Sequence, residues 1–327
     1  MSGVEVHDLA PETSFDADGA DLAEGLRAEP KVIPSVYAYD ADGSRFYEEI
    51  TELPTYYLTR AEWSLLERHA RDIAAASRCE DIVEMGSGSA KKTRVLLEAL
   101  RDRPDHGLRY VPIDISLEML EESTRALAEA LPGLAAQAVA ADYENGLAWV
   151  RDALDAPRMI VFLGSSLGNF GAEGIDALLG SIAASCEPGD ELLLGVDLIK
   201  DGDVLERCYN DPPGFDAFAR FRVNRLNNVN RLFGGDFDPA HFTSHARWRP
   251  ELSHVEAHIH ATREMRVHLR DLGLEVALAE GEPVLVDVAH KFDRADLAGR
   301  LDRLGFDEAG DWIDGGHGYA LLLYRRR

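Results

Sequence analysis

A chain of 327 residues with 59 acidic and 34 basic side chains carries a formal charge of -25, which repels phosphate backbones and argues against DNA or RNA as a partner. A hydrophobic share of 46% and a charged share of 28% are ordinary for globular proteins, and the length fits one large domain with an insertion. Three widely spaced cysteines, Cys79, Cys186 and Cys208, form no C-x-x-C pair, so neither a zinc knuckle nor a disulfide framework is supported and reduced thiols are expected.

The first 25 residues are polar and acidic, with no basic stretch leading into an apolar run, and no secretory signal is read there. No apolar stretch approaches the roughly 20 residues that span a bilayer, so a cytoplasmic protein is expected. A helix is predicted over 15–27, broken by Pro30 and Pro34. Residues 37–57 are dense in tyrosine: Tyr37, Tyr39, Tyr47, Tyr56 and Tyr57. Thr59 then reads as the N-cap of a long amphipathic helix, with Glu62 completing a capping box and Leu65, Leu66, His69 and Ile73 along its stripe.

From residue 81 strands and helices alternate. Strands are predicted over 82–85, 110–114, 136–141, 159–163 and 192–196, with helices near 91–100, 116–131 and 172–184 between them. Strands apolar on both faces and separated by helices indicate a parallel sheet wound on both sides. The rhythm breaks over about 200–283, where 218–231 reads as a helix and 255–267 as an alternating strand. It returns with a helix near 294–304 and two strands, 306–312 and 319–324, joined by Asp314-Gly315-Gly316. A terminal hairpin of this kind distinguishes class I methyltransferases from ordinary Rossmann sheets. The expected fold is therefore α/β, a class I Rossmann-like sheet of seven strands with a second, substrate-binding domain. The expected division is 1–60 and 201–283 for the substrate domain, 61–200 for the sheet domain, and 284–327 for the segment completing the sheet.

The first strand ends in Glu84-Met85-Gly86-Ser87-Gly88-Ser89-Ala90-Lys91. Glycines here let the backbone approach a ligand closely and aim helix N–H groups at it. A dinucleotide fingerprint needs a third glycine where Lys91 stands, so the string favours the Glu-x-Gly-x-Gly form used for S-adenosylmethionine (SAM) over NAD. Asp114 ends the second strand, placed for ribose hydroxyls, and Asp142 with Tyr143 ends the third, placed for the adenine amino group and a stacking ring. Three such features at successive strand ends, where open α/β sheets bind ligands, make SAM the expected methyl donor. Glu84, Gly86, Gly88, Lys92, Asp114, Asp142 and Tyr143 are the donor-site candidates.

The fourth strand runs into Gly164-Ser165-Ser166-Leu167-Gly168-Asn169-Phe170, beside the expected sulfonium position. With Tyr39-Asp40-Ala41-Asp42-Gly43-Ser44, Ile50-Thr51-Glu52-Leu53-Pro54-Thr55-Tyr56-Tyr57 and Leu194-Gly195-Val196-Asp197-Leu198-Ile199-Lys200-Asp201, this makes the chain resemble the histidine Nα-methyltransferases of ergothioneine biosynthesis along nearly its whole length. The resemblance implies that Tyr39 contacts the acceptor amine and that Tyr56, Asn169 and Tyr209 hold its carboxylate, with Gly164 lining the substrate. Tyr39 and Asn169 are then the catalytic candidates. It implies successive methylation of an α-amino nitrogen, with the tyrosine faces accommodating a growing cation and catalysis resting on alignment.

The side-chain pocket departs from that pattern. In the family a glutamate and a serine two residues apart read the imidazole; here Asp287 and Ala289 stand in their places, and Ala257 in place of a methionine. The changes remove imidazole contacts, each worth on the order of 1–3 kcal/mol when buried. The acceptor is therefore expected to be an amino acid other than histidine. The alternatives are histidine itself, an amine-bearing biosynthetic intermediate, or a SAM-binding regulator without turnover. His254, His258 and His260 share one strand face, and His241 and His245 lie four apart on an expected helix; both sets are read as surface rather than as metal ligands. A monomer acting on a small molecule is expected.

Overall fold

The computed structural model describes residues 4–9, 18–103, 107–155 and 157–327. Its strands, in chain order, are β1 (Glu5–Asp8), β2 (Lys31–Val32), β3 (Asp81–Met85), β4 (Arg109–Asp114), β5 (Ala135–Ala140), β6 (Arg158–Phe162) and β7 (Glu191–Asp197). They continue with β8 (Phe242–Arg249), β9 (His254–Ala261), β10 (Met265–Leu269), β11 (Leu274–Leu278), β12 (Pro283–His290), β13 (Phe306–Ile313) and β14 (Tyr319–Arg326). The chain divides into two compact units, one of Met1–Ser14, Leu58–Ile199 and Phe292–Arg327, the other of Phe15–Tyr57 and Lys200–Lys291.

The first unit is built on a sheet in the order β1-β5-β4-β3-β6-β7-β14-β13. β1, β5, β4, β3, β6 and β7 pair in parallel, while β14 runs antiparallel to β7 and β13 antiparallel to β14. This is the class I methyltransferase sheet with its closing hairpin, and it has eight strands rather than the expected seven. The extra one is β1, whose Glu5 to Asp8 pair with Gln137 to Ala140 on the outer edge of β5. Residues 5–8 therefore belong with the sheet and not with the substrate domain, because β5 would otherwise present an open row of backbone donors and acceptors. Every residue of β3, β6 and β7 is buried. Side chains such as Val83, Ile160, Leu194 and Leu322 form the core, each worth about 1.5–3 kcal/mol when removed from water.

The long helix spans Leu58–Ala76, so Thr59 lies inside it and does not cap it. Glu62 is fully buried and its carboxylate serves other groups, described below. Of the helix expected over 15–27, Ala20–Arg27 forms, and residues 15–17 lie outside the described ones.

The second unit has a four-stranded sheet in the order β2-β12-β9-β8 and a separate β10–β11 hairpin. Residues 284–290 thus belong here, in β12, and do not complete the large sheet as expected: Val284 pairs with Ile259 of β9 and with Lys31 of β2. Val255, Ala257 and Ile259 are buried with Val284, Val286 and Ala289, among residues that include Leu226 and Val229 of helix Ala217–Phe233. The ladder between β9 and β12 shifts register between Leu285 and Asp287. A bulge of this kind turns a strand locally and re-aims its side chains. Asp287 comes to lie opposite Ala257, and Ala289 opposite Val255.

The alternating strand read over 255–267 ends at Ala261, and Met265–Leu269 starts a new hairpin. His245 lies on β8 and His241 ends a short 3-10 turn, Pro239–His241, instead of sharing a helix. Among the described residues no group of three or more His, Cys, Asp or Glu is placed to hold a metal ion. Among them, too, no helix is long and apolar enough to cross a membrane.

Candidate active site

The donor-site candidates collect at the ends of β3, β4 and β5. Leaving β3, the chain passes through Gly86 and Gly88 with φ of 69° and 48°, the left-handed region that favours glycine. At Gly86 there is a second constraint, because a Cβ would lie 2.7 Å from the Tyr143 hydroxyl. At Gly88 a Cβ would meet nothing within 4 Å, so the turn opens onto free space there. The Gly88 N–H donates to Asp114 Oδ2 at 2.9 Å and Ser116 N–H to Asp114 Oδ1 at 3.1 Å. A half-buried carboxylate beside an open glycine turn fits the ribose end of SAM. The Tyr143 ring packs edge-on to Phe162 at 5.4 Å and tilted against Phe170 at 5.9 Å.

Two of the donor candidates have structural duties of their own. Asp142 is the N-cap of helix Tyr143–Ala153, accepting from Asn145 N at 2.8 Å and Asn145 Nδ2 at 2.9 Å. Glu84 is buried, and its two oxygens accept from the Thr93 and Tyr110 hydroxyls. Burial pushes its carboxyl from the ordinary 4.5 up to about 7.

The sign of the resulting pH dependence follows from that shift. A carboxyl raised on folding favours the folded state while protonated. Its contribution is full below about pH 4.5 and disappears as pH rises through about 7. We expect Glu84→Gln to remove a fall in stability on the order of 3 kcal/mol between those limits. Urea midpoints at half-unit pH steps check this, and parallel curves for the two proteins would count against it.

The fourth-strand turn holds Gly164 with φ 77° and Ser165 with φ 56°, the latter a strained conformation for a residue with a Cβ. Asn169 is exposed in the 3-10 turn Ser166–Phe170. The Gly164 N–H donates to Glu62 Oε1 at 2.7 Å, the Tyr319 hydroxyl to the same oxygen at 2.6 Å, and the Lys92 ammonium to Glu62 Oε2. Glu62 and Tyr319 were not among the sequence candidates.

The second unit carries the remaining candidates. Tyr39 is half exposed, with its ring edge-on to Phe221 at 5.6 Å and to Tyr47 at 6.4 Å. Tyr56, Tyr209 and Phe218 form a triangle with ring centroids 5.9 to 6.3 Å apart. Burial raises the Tyr56 phenol well above its ordinary value, so it stays neutral. The Tyr209 hydroxyl accepts from the buried Lys291 ammonium at 2.7 Å. Ala257 and Ala289 are buried.

Asp287 differs most from expectation. Both its oxygens accept from Arg225 Nη2 at 3.0 Å, and Arg222 Nε lies 3.8 Å from Oδ2. Arg225 is fully buried and also donates to the Val286 and Arg222 carbonyls. Arg222 donates to the Tyr209 carbonyl at 2.7 Å and lies over the Phe218 ring. The two arginines went unnoticed in the sequence, although both fall on the apolar stripe of their helix.

An open parallel sheet closed by an antiparallel hairpin, with a Glu-x-Gly-x-Gly turn after its first central strand and an aspartate ending the next, defines a class I SAM-dependent methyltransferase. The chain belongs to the histidine-specific, SAM-dependent methyltransferase family, whose model matches residues 18–326. It is an N-methyltransferase with SAM as its donor. It is 36% identical over 315 residues to the histidine N-alpha-methyltransferase of Mycolicibacterium smegmatis, spanning 96% of this chain and 97% of that one. It is 30% identical to the L-tryptophan methyltransferase of Psilocybe serbica, spanning 94% of this chain and 92% of that one. Among solved structures, magnesium protoporphyrin IX methyltransferase from Synechocystis PCC 6803 matches 90% of this chain and 98% of its own, with 12% identity and a TM-score of 0.46.

Proposed function

We propose that the enzyme methylates the α-amino nitrogen of a free amino acid in successive steps, and that its side-chain pocket is not the histidine-reading type. In this reading the second unit binds the acceptor. Tyr39 faces the amine, Tyr56 and Tyr209 hold the carboxylate, and Ala257, Asp287 and Ala289 surround the side chain. The donor is held by Gly86, Gly88, Lys92, Asp114 and Tyr143, with Glu84 and Asp142 shaping the turns.

When bound, SAM would supply a methyl carbon on a positively charged sulfur, open to in-line attack by an uncharged amine nitrogen as the S–C bond breaks and S-adenosylhomocysteine leaves. The tyrosines orient the nitrogen, and their ring faces tolerate a nitrogen that becomes a fixed cation as methyls accumulate. Water takes the ammonium proton before each attack.

The observation that carries the altered pocket is the Arg225–Asp287 pair. A carboxylate already bonded through both oxygens to a buried guanidinium, with a second guanidinium 3.8 Å away, is a poor partner for a protonated imidazole. The alanines at 257 and 289 offer no hydrogen bond in compensation. A larger, mainly apolar side chain such as that of tryptophan suits this lining better.

The test is S-adenosylhomocysteine release with SAM and each of the twenty amino acids, products being identified by mass. We expect a non-histidine amino acid to give the highest kcat/KM. Dominant trimethylation of histidine would overturn the altered-pocket reading, and SAM binding without turnover on any amino acid would overturn the free-amino-acid reading.

A further inference from the structure

Glu62 is a fully buried acid that the acceptor chemistry does not use. It belongs to helix Leu58–Ala76, yet its carboxylate joins three other segments of the first unit. Oε1 accepts from the Gly164 N–H at 2.7 Å, in the turn that follows β6, and from the Tyr319 hydroxyl at 2.6 Å, at the start of β14. Oε2 accepts from the ammonium of Lys92, in the first turn of the helix after the glycine turn. Lys92 Nζ in turn lies 3.8 Å from where a Gly164 Cβ would stand. The lysine, the fourth-strand turn and the buried acid form one cluster at the end of the sheet where the reacting sulfonium is expected.

The charges make this arrangement more than a brace. A lysine beside a sulfonium would set two positive charges close together in partly desolvated surroundings, where repulsion is far stronger than in bulk water. A carboxylate that is itself fully buried is little screened by salt and acts on both. We propose that Glu62 is a positioning residue for the methyl donor, which fixes Lys92 and the Gly164 turn and supplies the negative charge that lets a cationic sulfur bind beside a lysine. The acid holds the lysine in place and cancels its field at the sulfur.

SAM and S-adenosylhomocysteine separate the two roles, since they share every group except the methyl and its positive charge. A purely structural Glu62 affects both ligands alike; an electrostatic Glu62 affects the sulfonium more. Calorimetric titration of the whole chain with each ligand reads this without turnover. For Glu62→Gln we expect SAM affinity to fall at least tenfold further than S-adenosylhomocysteine affinity. Glu62→Asp, which keeps the charge on a shorter stem, should weaken both yet restore their ratio. Equal losses for the two ligands in Glu62→Gln, or no loss, would overturn the proposal.

Should Glu62→Gln fail to fold, Lys92→Gln reads the same field with the opposite sign. Removing the lysine's charge should shift the ratio toward SAM, and a ratio unchanged from wild type would overturn the electrostatic role.

Discussion

Arg225→Met is expected to destabilise the protein by about 3 kcal/mol, at the low end of the range for breaking a buried ion pair. The guanidinium is fully buried and serves Asp287 and the carbonyls of Val286 and Arg222 together. Methionine fills much of the volume but returns none of those hydrogen bonds. The Asp287 side chain is 27% exposed, so water recovers part of what that carboxylate loses, which keeps the estimate low. Replacing both partners by apolar side chains, Arg225→Met with Asp287→Leu, should recover much of the loss, because the cost lies in stranding one charge. Urea unfolding of the two single variants and the double one checks this. Additive losses in the double variant would mean that the pair is not coupled.

Gly195→Ala is expected to weaken SAM binding by about ten- to a hundredfold. A Cβ at this position on β7 would clash with Glu62 Oε1 and lie 3.0 Å from the Tyr319 hydroxyl and 3.3 Å from the Leu163 Cα. Real Cβ contacts do not approach so closely, so the carboxylate must leave its place. Moving it takes the acceptor from the Gly164 N–H and breaks the Glu62–Lys92 ion pair. Overpacking of this kind costs about 1–3 kcal/mol in an ordinary core, and here the strain falls on the turn expected to face the sulfur. Calorimetry against SAM, with thermal unfolding as a control, reads the result. A folded variant that binds the donor as tightly as wild type would show that the Glu62 cluster tolerates displacement.

The sheet was legible because its signals are local and repeated. Apolar strands, helices between them and a late hairpin each appear as short contiguous patterns, and the glycine turn stands where β3 ends. β1 was missed because Glu5–Asp8 is four residues of mixed polarity whose partner lies some 130 positions away. Residues 284–290 were assigned to the wrong sheet for a similar reason: a strand's own sequence says that it pairs, not with which neighbour.

The errors at the site have a common cause. Glu62 was read as a cap because Thr59 precedes it by three, yet it falls on the same stripe as the buried Leu58, Leu65 and Leu66. Arg222 and Arg225 fall on the stripe of Phe218, Phe221, Leu226 and Val229. A charged side chain on an apolar stripe must find a buried partner, and that rule marks all three from sequence alone. It does not name the partners, since those stand up to 257 residues away in the chain.

The small sheet of the second unit has a consequence for how the molecule is made. Its strand order places Lys31 and Val32 beside Val284 and Leu285, and the Lys31 ammonium reaches Glu282 across 251 positions. During synthesis the early segment emerges long before the strand it must pair with, at a rate of about 5–20 residues per second. For much of that interval Leu22, Leu26 and Ile33, all buried in the finished protein, have no sheet to cover them. The same separation means that no single continuous stretch of chain can be lifted out or exchanged as the second unit. A chimaera that exchanges this unit for a relative's has to carry residues 18–57 and 200–291 together.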